Sequence, residues 1–119
     1  MTVLETERLV LIRPDASHVD ELIEFYVSDR SAMAGGGVPY PDAVTRAYSI
    51  LGHWTHRDYG LFSILRKEDD ARVGMTGPYY PPGRPEKEVG WILFDGFEHN
   101  GYATEAAAAA IEYARKTLD

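Results

Sequence analysis

The 119-residue chain is acidic, with 19 Asp and Glu residues against 12 Lys and Arg, and it holds no cysteine. Without cysteine, disulfides, a thiolate nucleophile and a cysteine-based zinc site are excluded. The Lys and Arg residues are scattered, which argues against a nucleic-acid partner because neutralising a phosphate backbone requires clustered cations. No apolar run reaches the roughly 20 residues of a membrane helix, and no signal peptide is evident. A single cytoplasmic domain over residues 1–119, away from membranes, is therefore expected.

The first half of the chain predicts one strand and two helices. Residues 7–14 are rich in branched apolar side chains and stop at a proline, which is typical of a strand. Asp15 or Ser17 can cap the helix that follows. Residues 31–41 contain three consecutive glycines and two prolines and predict a loop. The second helix is expected to end within residues 56–60, with Gly60 as its stop, and to carry one apolar stripe: Val44, Ala47, Tyr48, Leu51 and Trp54.

The second half predicts three strands and a closing helix. Residues 61–65 and 71–77 form two strands joined by a polar turn, and residues 78–85, with four prolines, form a loop. Residues 88–94 are the strongest strand in the sequence, and a helix of high propensity is expected over residues 103–117. The order strand, helix, helix, three strands, helix indicates an α+β (mixed α/β) layered domain.

Gly101 stands in the segment that passes from the last strand to the last helix. The first amides of a helix lack intrahelical partners and carry partial positive charge. A glycine allows a ligand to approach the backbone closely, so the turn can hold a pyrophosphate. The alanines at residues 106–110 let the helix lie close on its sheet. The same residues are also compatible with a packing glycine before a good helix former, and both interpretations remain open at this point.

Two separated motifs resemble one known family. The sequence ETERL at residues 5–9, followed by Arg13 and Pro14, resembles the opening of RimJ/RimL-type GNAT N-acetyltransferases. The segments EVGW at residues 88–91 and NGYATEA at residues 100–106 resemble the acetyl-CoA motif of the same subfamily. The resemblance implies the GNAT acyl-CoA N-acyltransferase fold, a central, mostly antiparallel sheet with helices on both faces. It also implies acetyl-CoA as co-substrate and direct attack of an amine on the thioester, without an acyl-enzyme.

The resemblance implies cofactor-binding roles for eight residues. Backbone groups of Trp91, Ile92 and Leu93 are expected to pair with the pantetheine arm as an added strand would. Amides of the following turn are expected to hold the pyrophosphate: Asn100, Gly101, Tyr102, Ala103 and Thr104. Two positions depart from the family pattern, since Glu98 replaces a Gln or Arg and His99 replaces a common glycine. His99 could compensate for Glu98 if protonated, but it is predicted to occupy an exposed turn.

Glu88 is the candidate catalytic base. An ammonium group must lose a proton before it can attack, and a glutamate at the comparable strand position acts as base in several GNAT branches. The alternative is a structural carboxylate at the start of a strand, and Glu86 is the second candidate for the base. The loop at residues 31–40 is the candidate acceptor site.

Histidine and tyrosine residues offer further candidates. His53 and His56 lie three apart on a predicted helix, but no third ligand accompanies them, so an exposed helix face and no metal site are expected. The pair Tyr79 and Tyr80 could line a substrate cleft or pack beside the proline loop. Trp54 is predicted to belong to the core.

Members of this family continue beyond the last helix with a parallel strand, a further helix and a hairpin, whereas the sequence ends at Asp119. The C-terminal strands are therefore expected to be missing, and a homo-oligomer is expected through the open sheet edge at residues 88–94. The main functional hypothesis is acetyl-CoA-dependent N-acetylation of a protein N-terminus or a small amine. The alternative is a non-catalytic acyl-CoA-binding or structural remnant. A nucleotide-binding domain of another type would need a glycine fingerprint that the sequence lacks.

Overall fold

The computed structural model describes residues 3–28 and 37–118. In chain order the elements are β1 (Val3–Glu5), β2 (Leu9–Ile12), a 3-10 turn (Ala16–His18), α1 (Val19–Val27), α2 (Tyr40–Arg57), β3 (Phe62–Arg66), β4 (Arg72–Tyr79), β5 (Glu88–Leu93) and α3 (Tyr102–Thr117). The strands form one sheet in the order β1-β2-β3-β4-β5. Every neighbouring pair is antiparallel.

The N-terminal strand is in fact a hairpin. The strand predicted over residues 7–14 is confirmed as β2, but the short strand before it was missed. β1 has three residues, of which two are exposed and none is buried, and so short a segment is below the roughly four residues over which alternation identifies a strand. The turn of this hairpin, at residues 6–8, reaches the start of α3.

The start of the first helical segment follows the predicted capping. Asp15 Oδ1 accepts a hydrogen bond from the backbone nitrogen of Ser17 at 2.8 Å. His18 Nδ1 accepts one from the backbone nitrogen of Asp15 at 3.0 Å, which completes a capping box. α1 then buries Leu22 and Tyr26 on its inner face.

α2 ends within the predicted residues, but Asp58 rather than Gly60 closes it, and its buried face is rotated. Asp58, with a φ of 64°, adopts the left-handed conformation that closes the helix. Gly60 lies beyond that end, where an added Cβ would approach the Trp54 ring within 2.9 Å. The predicted stripe is confirmed at Ala47 and Trp54 and wrong at Tyr48, which is 62 % exposed. The buried face comprises Ala43, Ala47, Ile50, His53 and Trp54.

β4 continues through a proline that the sequence predicted to begin a loop. Pro78 lies opposite Val89 of β5. The backbone nitrogen of Phe94 donates to the carbonyl of Val73 at 2.9 Å, and alternation along the ladder then places Pro78 at a position that donates nothing to β5. On its other side β3 begins only at Phe62, opposite Thr76. No residue of β3 therefore lies opposite Pro78. Because neither neighbouring strand takes a hydrogen bond from this position, a proline without an N–H is tolerated here.

The core consists of two apolar clusters on the two faces of the sheet. The cluster beside α3 contains Leu9, Leu11, Trp54, Phe62, Ile64, Val73, Tyr102 and Ala106. The cluster beside α1 and α2 contains Leu22, Tyr26, Ala43, Ala47, Ile50, Leu61, Met75 and Ile92. Residues two apart in a strand normally lie on the same face of the sheet. A register shift between Ile64 and Leu65 changes this locally, so that Val73 and Met75 belong to different clusters. The predicted α+β architecture, with helices on both faces of an antiparallel sheet, is confirmed.

Candidate active site

The turn before α3 presents backbone amides without intrahelical partners. Gly101 has a φ of 77° and precedes the first helical residue, and no side chain caps the helix. The first intrahelical bond runs from the nitrogen of Glu105 to the carbonyl of Gly101 at 3.1 Å. The amides of Tyr102, Ala103 and Thr104 therefore stand ahead of the hydrogen-bonded helix, which is the arrangement of an anion site.

The residues just before this turn stabilise its conformation by hydrogen bonds among themselves. Glu98 Oε1 accepts a hydrogen bond from the nitrogen of Gly96 at 2.8 Å. The side-chain amide of Asn100 donates to the carbonyl of Glu98 at 3.0 Å. His99 is exposed and adopts a φ of 66°, so the predicted exposed turn is confirmed.

Glu105, in the first turn of α3, is clamped to the N-terminal hairpin. Its two oxygens accept hydrogen bonds from Thr6 Oγ1 at 2.5 Å, Arg8 N at 2.9 Å and Arg8 Nε at 2.7 Å. Burial raises the pKa of Glu105, but the hydrogen bonds from Thr6 and Arg8 outweigh it and hold the pKa below its usual value. The carboxylate thus fixes the start of α3 against residues almost a hundred positions earlier.

Small side chains bring α3 close to the sheet. Ala106 and Ala110 are fully buried, which places the helix axis near the strands without a gap. Tyr113, two turns further on than Ala106, makes an edge contact with Phe62 at 5.2 Å between ring centroids. The position of the Gly101 turn is therefore set by packing along the whole helix.

β5 offers backbone groups on its outer edge, since in the described residues it pairs only with β4. The bond from Phe94 to Val73 fixes the alternation, which directs the N–H and C=O of Trp91 away from β4. The same alternation turns the backbone of Ile92 toward β4 and its buried side chain into the core. The Trp91 side chain is 59 % exposed.

A cavity of about 1050 Å³ lies between the α1–α2 pair and strands β4 and β5. Its lining joins aromatic, aliphatic and charged side chains from both sides: Phe25, Tyr26, Arg46, Ser49, Ile50, Leu61, Tyr79, Pro81, Arg84, Glu88, Gly90, Trp91, Ile92, Leu93 and Glu98. Of the residues predicted from sequence, it brings together the candidate base Glu88 and the three β5 residues assigned to pantetheine. The amides of the Gly101 turn are not part of the lining.

Glu88 stands at the rim of the cavity with a charged partner. Arg84 Nη1 lies 3.1 Å from Glu88 Oε1, and both side chains are about half exposed, at 51 % and 55 %. The second candidate, Glu86, is exposed and does not line the cavity. Across the β4–β5 ladder Glu88 faces Tyr79, and directly opposed side chains in a ladder are neighbours.

Two tyrosines of the cavity keep their protons far above neutral pH. Burial raises the pKa of Tyr26 to about 12, with the nearby Tyr79 adding to the rise. Burial also raises the pKa of Tyr79. Tyr26 was missed as a site residue because its spacing on α1 reads as core, and Arg46 because a lone arginine on a helix usually faces solvent.

The histidine prediction is correct for His56, which is exposed, and wrong for His53. His53 is buried, with Nδ1 2.8 Å from the carbonyl of Tyr59 and Nε2 accepting from the nitrogen of Tyr80 at 2.8 Å. Its ring stacks on Tyr79 at 4.6 Å. His53 therefore anchors the end of β4 beside the cavity by satisfying backbone groups of two segments.

Among residues 3–28 and 37–118, no group of three or more His, Cys, Asp or Glu side chains could hold a metal ion. No helix in these ranges combines the length and apolarity that crossing a membrane requires. The predicted acceptor loop, at residues 31–40, lies largely outside the described residues. Its last part is anchored on α1, since the nitrogens of Gly37 and Val38 donate to the carbonyl of Tyr26 at 2.7 and 3.1 Å.

This combination of sheet, turn and cavity belongs to a known domain. The family described as "Acetyltransferase (GNAT) domain" matches residues 8–119, and the chain belongs to that family. It is similar to the crystal structure of an acetyltransferase from Agrobacterium tumefaciens str. C58, with a TM-score of 0.91 and 34 % identity over 99 % of this chain and 69 % of that one.

Two other relatives add to the comparison. The "uncharacterized N-acetyltransferase YnaD" of Bacillus subtilis (strain 168) is 31 % identical over 58 residues, which span 49 % of this chain and only 34 % of that protein. The RimL ribosomal alpha-N-protein acetyltransferase in complex with coenzyme A superposes with a TM-score of 0.66 at 16 % identity, covering 98 % of this chain and 70 % of that one. At that identity the RimL likeness concerns the fold alone.

Proposed function

We propose that this chain binds acetyl-CoA and transfers its acetyl group to a primary amine, either a protein N-terminus or a small amine. The observation that carries the proposal is the Gly101 turn, whose amides precede the hydrogen-bonded part of α3 beside the unpaired edge of β5. Membership of the acetyltransferase (GNAT) domain family supports this choice of reaction. A place among RimJ/RimL-type enzymes is part of the proposal and rests on the sequence motifs.

The cofactor would be held by backbone groups. The amides of residues 100–104 would bind the diphosphate, where the helix dipole favours negative charge. The pantetheine arm would lie along β5, with the outward N–H and C=O of Trp91 as its main partners and Leu93 next to it. Ile92 would contribute its side chain to the cavity wall, because its backbone groups face β4.

Acetyl-CoA supplies an activated acetyl thioester. In the transfer a C–N bond forms to the acetyl carbon, the C–S bond breaks, the amine loses a proton and the departing sulfur gains one. Glu88, which lines the cavity, would accept the proton of the amine. Tyr79, opposite Glu88 and protonated at neutral pH, would return a proton on the sulfur side.

The second candidate function is acyl-CoA binding without turnover. The observation that favours it is the ion pair between Glu88 and Arg84, which occupies the proposed base. Thiol release from acetyl-CoA in the presence of a panel of amine acceptors separates the two functions. Turnover that disappears in Glu88→Gln supports catalysis, whereas CoA binding without thiol release supports the binding module.

The proposal includes self-association through β5. Trp91 and Val89, 59 % and 37 % exposed, lie on the outermost strand of the described sheet, and such a strand can pair with another chain. Pantetheine and a second chain would compete for the same backbone groups. Sedimentation should therefore show a homo-oligomer that CoA dissociates, and a monomer at all concentrations would contradict this part.

Calorimetry with CoA tests the turn directly. The native chain should bind CoA in the micromolar range, and Gly101→Asp should abolish binding, because the substitution brings a carboxylate to the diphosphate and strains a backbone with φ of 77°. Gly83→Ala is the matched control, since Gly83 also has a positive φ but no neighbouring atoms. Equal affinity of the native chain and Gly101→Asp would remove the basis of the assignment.

A further inference from the structure

We infer that Arg8, from the N-terminal hairpin, supplies the cation that neutralises the CoA diphosphate at the start of α3. The inference rests on the proposed acetyl-CoA site, whose other residues lie between positions 88 and 104, and adds to it a residue from the start of the chain. The Arg8 side chain has two parts, an inner part that contacts the protein and an outer part that can contact the ligand.

The inner part of Arg8 is committed to the protein. Its backbone nitrogen and Nε both donate to the carboxylate of Glu105, and the guanidinium carbon lies 4.6 Å from the centroid of the Tyr102 ring. These contacts fix the plane and direction of the guanidinium. The side chain is nevertheless 44 % exposed.

The outer part of Arg8 faces the Gly101 turn. A Cβ built on Gly101 would lie 3.4 Å from Arg8 Nη2, so this terminal nitrogen lies beside the turn that would receive the diphosphate. Neither terminal nitrogen donates to a protein acceptor within residues 3–28 and 37–118. A guanidinium in this state can bind phosphate oxygens with two parallel N–H groups.

The charges around the turn make such a cation necessary. Glu98 and Glu105 place two carboxylates at its two ends, and both would repel a diphosphate. Arg66, the other guanidinium near Tyr102, is already paired with both oxygens of Asp69, at 3.0 and 2.7 Å. Arg8 is therefore the cation that can neutralise Glu105 through Nε and still offer its outer edge to the ligand.

The competing explanation is a purely structural clamp, in which Arg8 only holds the hairpin to α3. Thioester substrates with and without a diphosphate distinguish this explanation from the proposed role of Arg8 as a cation for the ligand. In Arg8→Gln we expect kcat/KM for acetyl-CoA to fall about tenfold or more, as for loss of a charge-assisted hydrogen bond, mainly through KM. The value for S-acetylpantetheine, which lacks the diphosphate, should stay within about twofold. Arg115→Gln, at the exposed far end of α3, is the matched control and should change neither.

A second variant keeps the test decisive if Arg8→Gln does not fold. Glu105→Gln keeps a side-chain oxygen that can accept from Arg8 Nε and so hold the guanidinium in place. Because it removes one repelling carboxylate and leaves the Arg8 charge, CoA should bind as tightly as before or more tightly in calorimetry. A clamp-only role predicts weaker binding in Glu105→Gln and an equal loss with both thioesters in Arg8→Gln, and either result would overturn the inference. A native chain that binds no CoA at all would instead refute the proposed function.

Discussion

The two faces of the sheet are built in different ways. On one face α3 makes close backbone contacts with β1, β2, β4 and β5, whereas on the other face α1 and α2 have their closest contacts with each other. Buried alanines allow the first arrangement, since Ala106 and Ala110 add no bulk between helix and strand. On the second face α2 also buries two alanines, Ala43 and Ala47, but a cavity lined by larger side chains such as Tyr26 lies between the helices and the strands.

Under the proposed function, the difference separates two tasks of an acyl-transfer site. A diphosphate is the same in every CoA ester and can be held by backbone amides in one fixed place, which a tightly packed helix provides. An acceptor varies between proteins, and the side chains that recognise it need room to vary. Variants on the α3 face should therefore affect stability most, and variants on the α1–α2 face should act through charge and hydrogen bonds.

The largest effect is expected from the centre of the α3 face. Phe62 is fully buried and touches both Trp54 and Tyr113, so Phe62→Ala should lower the free energy of unfolding by about 3–5 kcal/mol. Tyr48 is 62 % exposed on α2, and Tyr48→Ala should change it by less than about 0.5 kcal/mol. Chemical denaturation measures both, and similar losses would contradict the contrast between core and surface.

The second-largest effect is expected when the distance between α3 and the sheet is changed. Ala106→Leu inserts a side chain where α3 meets the strands and should cost about 1–3 kcal/mol of stability. It should also weaken CoA binding, because the Gly101 turn would move with the helix. Ala108→Leu, exposed on the same helix, is the control for helix propensity. If Ala106→Leu were as stable as Ala108→Leu, α3 would not be packed as closely as described.

On the α1–α2 face, His53 should make stability depend on pH. Burial, with a smaller contribution from the nearby Arg57, lowers the pKa of His53 below 6.5, because the charged imidazolium loses its solvation inside the protein. The stabilisation is complete above the unfolded-state pKa of about 6.5. It is lost as the pH falls toward the folded-state value, since only the unfolded chain then takes up the proton. Stability of His53→Asn should vary less between pH 7 and 5 than that of His56→Asn, and equal slopes would refute the assignment.

The smallest effect is expected at Ser63, on the same face of the sheet as Met75. Its hydroxyl is buried and has no hydrogen-bond partner within the described part of the chain. Ser63→Ala should change stability by less than about 0.5 kcal/mol or raise it slightly, because no bond is lost. Thr76→Val is the comparison, since Thr76 Oγ1 donates to the carbonyl of Gly90 at 2.8 Å, and it should cost about 1 kcal/mol.

What could be predicted from sequence was mostly local. The strand before the Gly101 turn, the turn itself and α3 follow from propensity and from the glycine, and the α3 face was therefore predicted well. The errors fall where distant residues decide the outcome. Pro78 sits in a strand because of the register with β5, and His53 is buried because it serves Tyr59 and Tyr80.

The cavity side was harder for the same reason. Tyr26 and Arg46 lie on different helices, and nothing in the spacing along either helix indicates that both face β5. The Arg8–Glu105 pair joins residues 97 positions apart, so both could be noticed as parts of resembling motifs but not as partners. A single sequence shows which residues are present, whereas contacts of this length depend on the complete fold.

The outer edge of β5, which pairs with no other strand within residues 3–28 and 37–118, has a consequence for handling the protein. A ligand that binds only the folded chain stabilises it by mass action, by about 2.7 kcal/mol at a hundredfold excess over its dissociation constant. If CoA lies along β5, it also covers the N–H and C=O groups that would otherwise recruit a second chain. Preparations stored with CoA should therefore stay clear and melt at higher temperature, while concentrated ligand-free preparations should turn turbid first.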